Sequence, residues 1–599
     1  MSPSLQLDDL SIPTLRRLYL HHGLTPSDLI AEIHRRIDRT RDFNIWIQVL
    51  DHAALTPYLD YLKASGPEAL PLYGIPFAIK DNIDLAGVPT TAGCPAFEYL
   101  PKQSATVVAK LVALGAIPIG KTNLDQFATG LVGTRSPYGP CKNSFDPSYI
   151  AGGSSSGSAV SVALGQVSFS LGTDTAGSGR VPAAFNNLIG YKPTRGLLST
   201  IGVVPACKTL DCVSLFSLSV DDVSYLAELV VEYDSSDDYS RAQPICKKSA
   251  KAAFSFGVVG PDQLRFFGND DAAKLYQKAI ERFEQMGGNK LTLNCSPLFE
   301  AAQLLYQGPW LAERYAAVSD IIEQHPETLH PLTRSIIEPA ARLSAVDAFK
   351  AFYRLQALKR QADALLNQVD FMLTPTAGTL YTLDQVAQNP IELNSNLGYY
   401  TNFMNLLDFA ALALPSGFDS NGLPNGITLF SRAFEDSLLM AYGKRYMELN
   451  AINTGAPISH IKTDIEVAVC GAHLSGLPLN HQLTDRGAKR VAKTHTAPNY
   501  RLFALTGSSP ARPGLIRDEI NGAAIEIEVW SLPIDRFGCF VAAIPRPLGI
   551  GKIETTDGNW VSGFICEGYA VHEAEDISAF GGWRSYWRAH ADADIAEKK

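Results

Sequence analysis

The stretch AGGSSSGSAVSVALGQVSFSLGTDTAGSGR, residues 151–180, places one helix-like and one strand-like run between two glycine-rich loops. SGSAVSVALG reads as a helix and QVSFSLGTDT as a strand, the order that VVAKLVALGAIPIGKTN (107–123) shows upstream. YGIPFAIKDNID (73–84) reads as another strand, running into a loop at Lys80. Helices alternating with short apolar strands predict an α/β sheet buried on both faces. FMLTPTAGTL (371–380) and the strands within 406–434 continue it. Ahead of it, Leu24 to Arg41 is amphipathic, and Thr25 to Asp28 supplies an N-terminal capping pattern.

The two glycine-rich loops carry hydroxyls, and a third segment carries an amine. Ser154 lies in GGSSSGS, Ser178 follows it by 24 residues in GTDTAGSGR, and Lys80 ends GIPFAIK. A serine hydroxyl is a poor nucleophile at neutral pH, so it needs a base within reach. A lysine serves if burial lowers its pKa, and a second serine can carry the proton between them. Taken singly, a Gly/Ser run is a flexible linker and a lysine a solvated charge. Three such segments in this order point instead to a relay for cleaving amides. A nucleotide-phosphate loop is disfavoured, because neither run continues into Gly-Lys-Ser/Thr. The amides of Thr175, Ala176, Gly177 and Ser178 suit an oxyanion hole. Asp174 and Arg180 read as a scaffolding ion pair.

These segments resemble the amidase signature family, over roughly residues 20 to 450. The resemblance implies an amidase signature fold, a mixed central sheet covered by helices. It also implies a Ser-cisSer-Lys triad of Ser178 as nucleophile, Ser154 as bridge and Lys80 as terminal base. In LLYQGPWLAERYAAV (304–318), Pro309 can open a helix that carries Arg314, and an arginine fork with the Tyr306 hydroxyl suits a planar carboxylate. Arg on a helix face and Tyr as half-buried filler is the ordinary alternative. With ATGLVGTRSPYG (128–139) and the C-terminal GAHLSGLPLN (471–480), this pairing resembles the allophanate hydrolases. That resemblance implies that Tyr306 and Arg314 hold the carboxylate of allophanate and that the loop of Gly133 borders the pocket. The expected reaction releases ammonia and N-carboxycarbamate.

At 599 residues with 46% hydrophobic content, the chain exceeds a single core. NTGAPISHIK (453–462) breaks the periodicity, giving an expected amidase domain at 1–455 and a second domain at 463–599. The latter reads as small α+β with a partly closed sheet and resembles the γ-glutamylcyclotransferase fold. The glutamate that cyclotransferases use should fall near LPIDRFGCF (532–540), which has none. The resemblance points instead to decarboxylation of N-carboxycarbamate with His473 as proton donor or anion holder, His481 being a weaker candidate. A lone histidine in a turn is more often structural. The alternative is an amidase of another small carboxylated amide, its C-terminal domain serving only assembly.

The net charge of -10 argues against nucleic acid or an anionic membrane as partner. No apolar run reaches the roughly 18 residues that span a bilayer, and MSPSLQLDDL lacks the pattern of a secretory signal, so the expected location is the cytoplasm. Nine scattered cysteines without CxxC or Cys/His spacing imply reduced thiols and no metal or other cofactor. A homodimer with a functional link to urea carboxylase completes the expectation.

Overall fold

The computed structural model describes residues 7, 9–242, 248–456, 464–507 and 510–596. The chain divides into two compact units, Met1–His460 and Ile461–Lys599. The division falls within NTGAPISHIK, whose residues 457–462 lie outside the described residues.

The first unit is built on eleven strands: β1 (Trp46–Val49), β2 (Pro76–Lys80), β3 (Ile117–Thr122), β4 (Phe169–Asp174), β5 (Ile189–Lys192), β6 (Cys212–Ser217), β7 (Phe254–Val259), β8 (Gly288–Leu293), β9 (Phe371–Pro375), β10 (Phe409–Phe418) and β11 (Pro424–Arg432). Their spatial order is β1-β3-β2-β4-β6-β5-β10-β11-β9-β7-β8. The sheet is mixed. β2 runs parallel to both β3 and β4, because the helices Thr106–Ala113 and Ser156–Ala163 supply the crossovers that parallel strands require. Every residue of β2, β3, β4, β5, β6 and β9 is buried, which explains runs such as FMLTP that lack polar alternation.

The helix Ser156–Ala163 shows why its sequence is Ser-Gly-Ser-Ala-Val rather than a normal amphipathic pattern. All eight of its residues are buried, so no face can be charged. A Cβ on Gly157 would lie 2.2 Å from Ile45 O, so only glycine lets the neighbouring backbone approach. Ser158 donates to Leu171 O (2.9 Å) and Ser161 to Ser158 O (2.9 Å), satisfying hydroxyls that would otherwise be costly to bury. Nearer the start of the chain, the helix Pro26–Arg39 carries the capping box expected at Thr25 and Asp28.

The second unit has a five-stranded and a three-stranded sheet. Its strands are β12 (Asp464–Val469), β13 (Lys489–His495), β14 (Tyr500–Leu505), β15 (Arg512–Arg517), β16 (Glu526–Pro533), β17 (Leu548–Glu554), β18 (Trp560–Cys566) and β19 (Glu575–Asp576). The orders are β13-β16-β12-β18-β17 and β15-β14-β19. Its own core gathers Val467, Tyr500, Ile527, Leu532, Phe540 and Trp583. The segment LPIDRFGCF joins the end of β16 to the helix Ile534–Ala542. Among the described residues no helix is long and apolar enough to cross a membrane.

Candidate active site

Lys80 ends β2, and Thr173 lies near the end of its parallel neighbour β4. That adjacency brings the Lys80 amine to Thr173 Oγ1 at 2.8 Å. Lys80 Nζ also lies 2.8 Å from Ser154 Oγ, and Ser154 Oγ lies 2.9 Å from Ser178 Oγ. All four residues are buried. Hydroxyl hydrogens rotate, so when the amine is neutral the same contacts run in reverse, from Ser178 through Ser154 to the lysine lone pair. The Gly153–Ser154 peptide is cis.

Burial brings the Lys80 ammonium down from an ordinary 10.5 to about 7, although the Asp125, Asp211 and Asp174 carboxylates oppose the change. The charge of Arg314 assists it. A base near 7 is poised to accept a proton at neutral pH.

The loop that presents Ser178 is held by a fully buried ion pair. Arg180 Nε donates to Asp174 Oδ2 and Arg180 Nη2 to Asp174 Oδ1, both at 2.9 Å. Asp174 also accepts from Gly177 N–H (3.1 Å) and Gly179 N–H (3.0 Å). Burial pushes its carboxyl up, but Arg180 and these donors outweigh that and leave it below its ordinary value. The pair is therefore the scaffold expected. Gly177 departs from expectation, since its N–H faces Asp174 instead of open space. The N–H groups of Thr175, Ala176 and Ser178 carry no hydrogen bond among the described residues.

Arg314 projects from the helix Trp310–Gln324, which Pro309 precedes as N-cap. The side chain is 2% exposed, yet only Nη1 has protein partners, Thr129 Oγ1 at 3.2 Å and Ala128 O at 3.5 Å. Nε and Nη2 are buried without any. A buried, half-satisfied guanidinium is costly by itself and calls for an acceptor. Tyr306 approaches through its ring, whose centroid is 5.7 Å from the Arg314 guanidinium carbon.

Gly133 is near the relay but has no free polar group. Its N–H donates to Asp125 Oδ2 (3.0 Å) and its carbonyl accepts from Cys141 N–H (3.0 Å). It adopts φ +75°, and a Cβ there would lie 2.7 Å from Gly152 O and 2.8 Å from Ser156 Cβ. Its contribution is the close approach of two loops rather than a hydrogen bond to a ligand.

Two further residues carry no distinguishing signal in the sequence. Thr173 stands inside GTDT, where nothing but strand register links it to Lys80. Asp211 accepts the Thr175 hydroxyl and the N–H groups of Ala206 (2.8 Å) and Cys207 (3.2 Å). Burial raises its carboxyl to about 6.

In the second unit His473 sits in the turn after β12. Its ring stacks on Phe564 (4.8 Å between centroids) and meets Phe540 edge-on (5.6 Å). Its Nε2 faces Gln482 Oε1 at 3.0 Å. It lines a cavity of about 40 Å³ together with Gln482, Arg512 and Phe564. Burial holds the imidazole below its ordinary pKa. His481 is exposed and its Nδ1 faces Pro478 O (2.9 Å). Among the described residues no group of His, Cys, Asp and Glu is arranged to hold a metal. The eight described cysteines are unbridged, and Cys246 lies outside the described residues.

The relay, its buried lysine and the loop of Ser178 coincide with a match of residues 28–440 to the sequence model of the Amidase family. The chain belongs to the amidase family. Residues 465–588 match a second model, described as the allophanate hydrolase C-terminal domain. Among similar proteins, the urea amidolyase of Saccharomyces cerevisiae is 43% identical over 587 residues, covering 93% of this chain and 32% of that protein. A urea amidolyase of Lachancea kluyveri is likewise 43% identical. The chain thus spans about a third of the length of these two relatives. One subunit of the glutamyl-tRNA(Gln) amidotransferase of Prochlorococcus marinus is 30% identical over 67% of this chain and 89% of its own length. The solved structure of Kluyveromyces lactis allophanate hydrolase is 41% identical, with a TM-score of 0.71 over 97% of this chain and 99% of that one. The family's fold and hydrolase chemistry account for the mixed sheet and for the Ser178, Ser154 and Lys80 geometry described above.

Proposed function

We propose that this chain hydrolyses allophanate at its terminal amide. The observation that carries this reading is Arg314, a buried guanidinium with two unpaired nitrogens whose charge reaches the catalytic lysine. A small, polar substrate has little apolar surface to bury. Its binding must rest on charge-assisted hydrogen bonds, each contributing about 1.5–3 kcal/mol. Arg314 takes the carboxylate, with the Tyr306 ring flanking the fork. Urea, lacking that carboxylate, is rejected.

Neutral Lys80 accepts a proton through Ser154 as Ser178 attacks the amide carbonyl. The developing oxyanion is met by the N–H groups of Thr175, Ala176 and Ser178, the three expected donors that are free of other hydrogen bonds. The relay then returns the proton to the leaving nitrogen and ammonia departs. Water enters, the relay deprotonates it, and the acyl-enzyme is released as N-carboxycarbamate.

The second unit, read as a γ-glutamylcyclotransferase-like domain over 463–599, takes this product onward. N-carboxycarbamate loses carbon dioxide to give carbamate, with His473 as the proton source, and carbamate yields the second ammonia. The whole operates as a cytoplasmic homodimer, supplied by a urea carboxylase that makes allophanate. Support for that link is that the two similar urea amidolyases are about three times as long as this chain.

The test compares allophanate with an uncharged amide in Arg314→Lys. The point charge is kept and the fork is lost. KM for allophanate is expected to rise at least about tenfold while turnover of the uncharged amide is little changed. Equal losses on both would remove the carboxylate clamp from the mechanism.

A further inference from the structure

The second unit holds an arginine that nothing in its own fold uses. Arg512 opens β15 and lines the His473 cavity, yet its side chain has no hydrogen bond or ion pair among the described residues. Its Nε is buried without a partner. Other arginines of this unit are committed: Arg584 to Glu528 (2.9 Å), Arg501 to Asp576 and Asp518, and Arg517 to Glu554 (2.9 Å). Arg512 differs from these three in facing a cavity with a buried, unpartnered Nε.

Its surroundings fit an anion. His473, Gln482 and Arg512 line the cavity among mostly apolar residues, with no Asp or Glu in its lining. Arg486 lies behind this wall. Its Nη1 donates to Gln482 O (2.8 Å), and its Nε is also buried and unpaired. Both arginines bear on His473 electrostatically. At about 40 Å³ the cavity is small. One water occupies about 10–15 Å³ by the same measure, so the space suits a compact ion rather than a nucleotide or an aromatic cofactor. Arg512 and Leu548 also line an outer groove with Arg546, Tyr569, His572 and Glu573. Arg512 therefore stands where the groove meets the cavity.

We propose that Arg512 is the carboxylate anchor of the His473 cavity, and that the ligand class is a small dianion with two carboxylates on a single bridging atom. This rests on the decarboxylation reading above and names the residue that would make it selective. Arg512 binds the carboxylate that is retained. The other sits over the stacked His473 ring, where only Gln482 and apolar side chains surround it. When the C–N bond breaks, its electron pair stays on nitrogen, carbon dioxide leaves, and the nitrogen takes one proton from imidazolium. The dianion plus one proton gives carbamate and carbon dioxide, so atoms and charge balance. Gln482 Oε1 accepts from Nε2–H, which leaves Nδ1 to carry the transferred proton. The proton arrives with the ligand, whose two charges favour imidazolium in a site that disfavours it when empty.

Malonate is the probe, because a methylene replaces the nitrogen and it does not lose carbon dioxide under assay conditions. Full-length protein labelled with nitrogen-15 in histidine is titrated with malonate and, separately, with acetate. The His473 ring is the local reporter, assigned by His473→Asn, so binding at Arg314 does not interfere. Malonate is expected to raise the apparent His473 pKa by about one unit or more, and acetate much less. Arg512→Gln should weaken malonate binding at this reporter at least about tenfold, with Arg512→Lys intermediate. Unchanged malonate binding in Arg512→Gln, with native histidine spectra, overturns the anchor. A separate readout follows carbon-13 allophanate through N-carboxycarbamate to carbamate. If His473→Asn leaves that last step unaltered while Arg512→Gln still loses malonate, the anion site stands and the decarboxylation reading falls.

Discussion

The most consequential number in the first unit is the Lys80 pKa, because it makes activity and stability oppose each other. Burial lowers it from 10.5 to about 7, a difference corresponding to roughly 5 kcal/mol. At pH 7 about half the lysines are neutral, and at pH 5 about one in a hundred. The rate profile of ammonia release is therefore expected to rise about tenfold per pH unit below pH 7 and to flatten above it. Asp211, which titrates near 6, is the competing explanation, and Asp211→Asn separates them. Because that carboxylate raises the Lys80 pKa, removing its charge should move the limb downward. A limb that disappears in Asp211→Asn would refute the lysine assignment. Stability carries the opposite sign. The unfolded lysine binds its proton up to 10.5 and the folded one only to about 7, so the folding penalty is full below pH 7 and is relieved as pH rises toward 10.5. Lys80→Met should thus be inactive yet more stable at pH 7. The gain is bounded by about 5 kcal/mol, less the cost of Ser154 and Thr173 hydroxyls that lose a partner. Denaturant midpoints at pH 7 and pH 9 measure it, and a gain that does not shrink at the higher pH contradicts the burial argument.

Thr173→Val removes the second oxygen on the Lys80 amine and should lower kcat about tenfold or more with little change in KM, since its hydroxyl is taken up by Lys80 and Asn82. Arg180→Met leaves Asp174 buried and unpaired, so unfolding free energy should fall by about 3–5 kcal/mol. Pairing it with Asp174→Asn should restore part of that loss in a double-mutant cycle. Gly133→Ala forces a Cβ against Gly152 O and Ser156 Cβ, and loss of activity should exceed loss of stability because the displaced loop carries Ser154. Wild-type turnover in that variant would show the close approach to be dispensable.

How much of this was legible in the sequence depends on the range of the interaction. The α/β alternation, the strands around 371 and 409, and the helix Pro26–Arg39 are visible because burial on both faces or on one face writes a local period. The relay is visible because three short segments each carry an unusual composition. Thr173 was not, since its role follows from β4 lying parallel to β2, a register that no local pattern encodes. Gly177 reads as an oxyanion donor and the loop of Gly133 as a border of the pocket, and their N–H groups go to Asp174 and Asp125. A carboxylate within a few residues captures backbone donors more readily than a substrate can, because it is tethered. The same rule explains which arginines matter. Arg180 has a carboxylate six residues away and is spent on structure. Arg314 lies next to Glu313, but that carboxylate accepts from Thr209 instead, through N–H (2.7 Å) and the hydroxyl (2.8 Å).

Consecutive residues of a helix face different ways, so Glu313 bonds Thr209 while Arg314 keeps two buried nitrogens without a partner. An unpaired buried guanidinium destabilises the empty protein, and the deficit is recovered only when an acceptor of the right shape arrives. The lysine follows the same logic with a proton in place of a ligand, since its burial costs stability below pH 7 and returns a neutral base. The positive charge of Arg314 lowers the Lys80 pKa, so a bound carboxylate that neutralises it should raise that pKa. The acid limb of kcat, measured with substrate bound, should then lie above that of kcat/KM. If the two limbs coincide, the carboxylate does not bind at Arg314 and the coupling between clamp and base is absent.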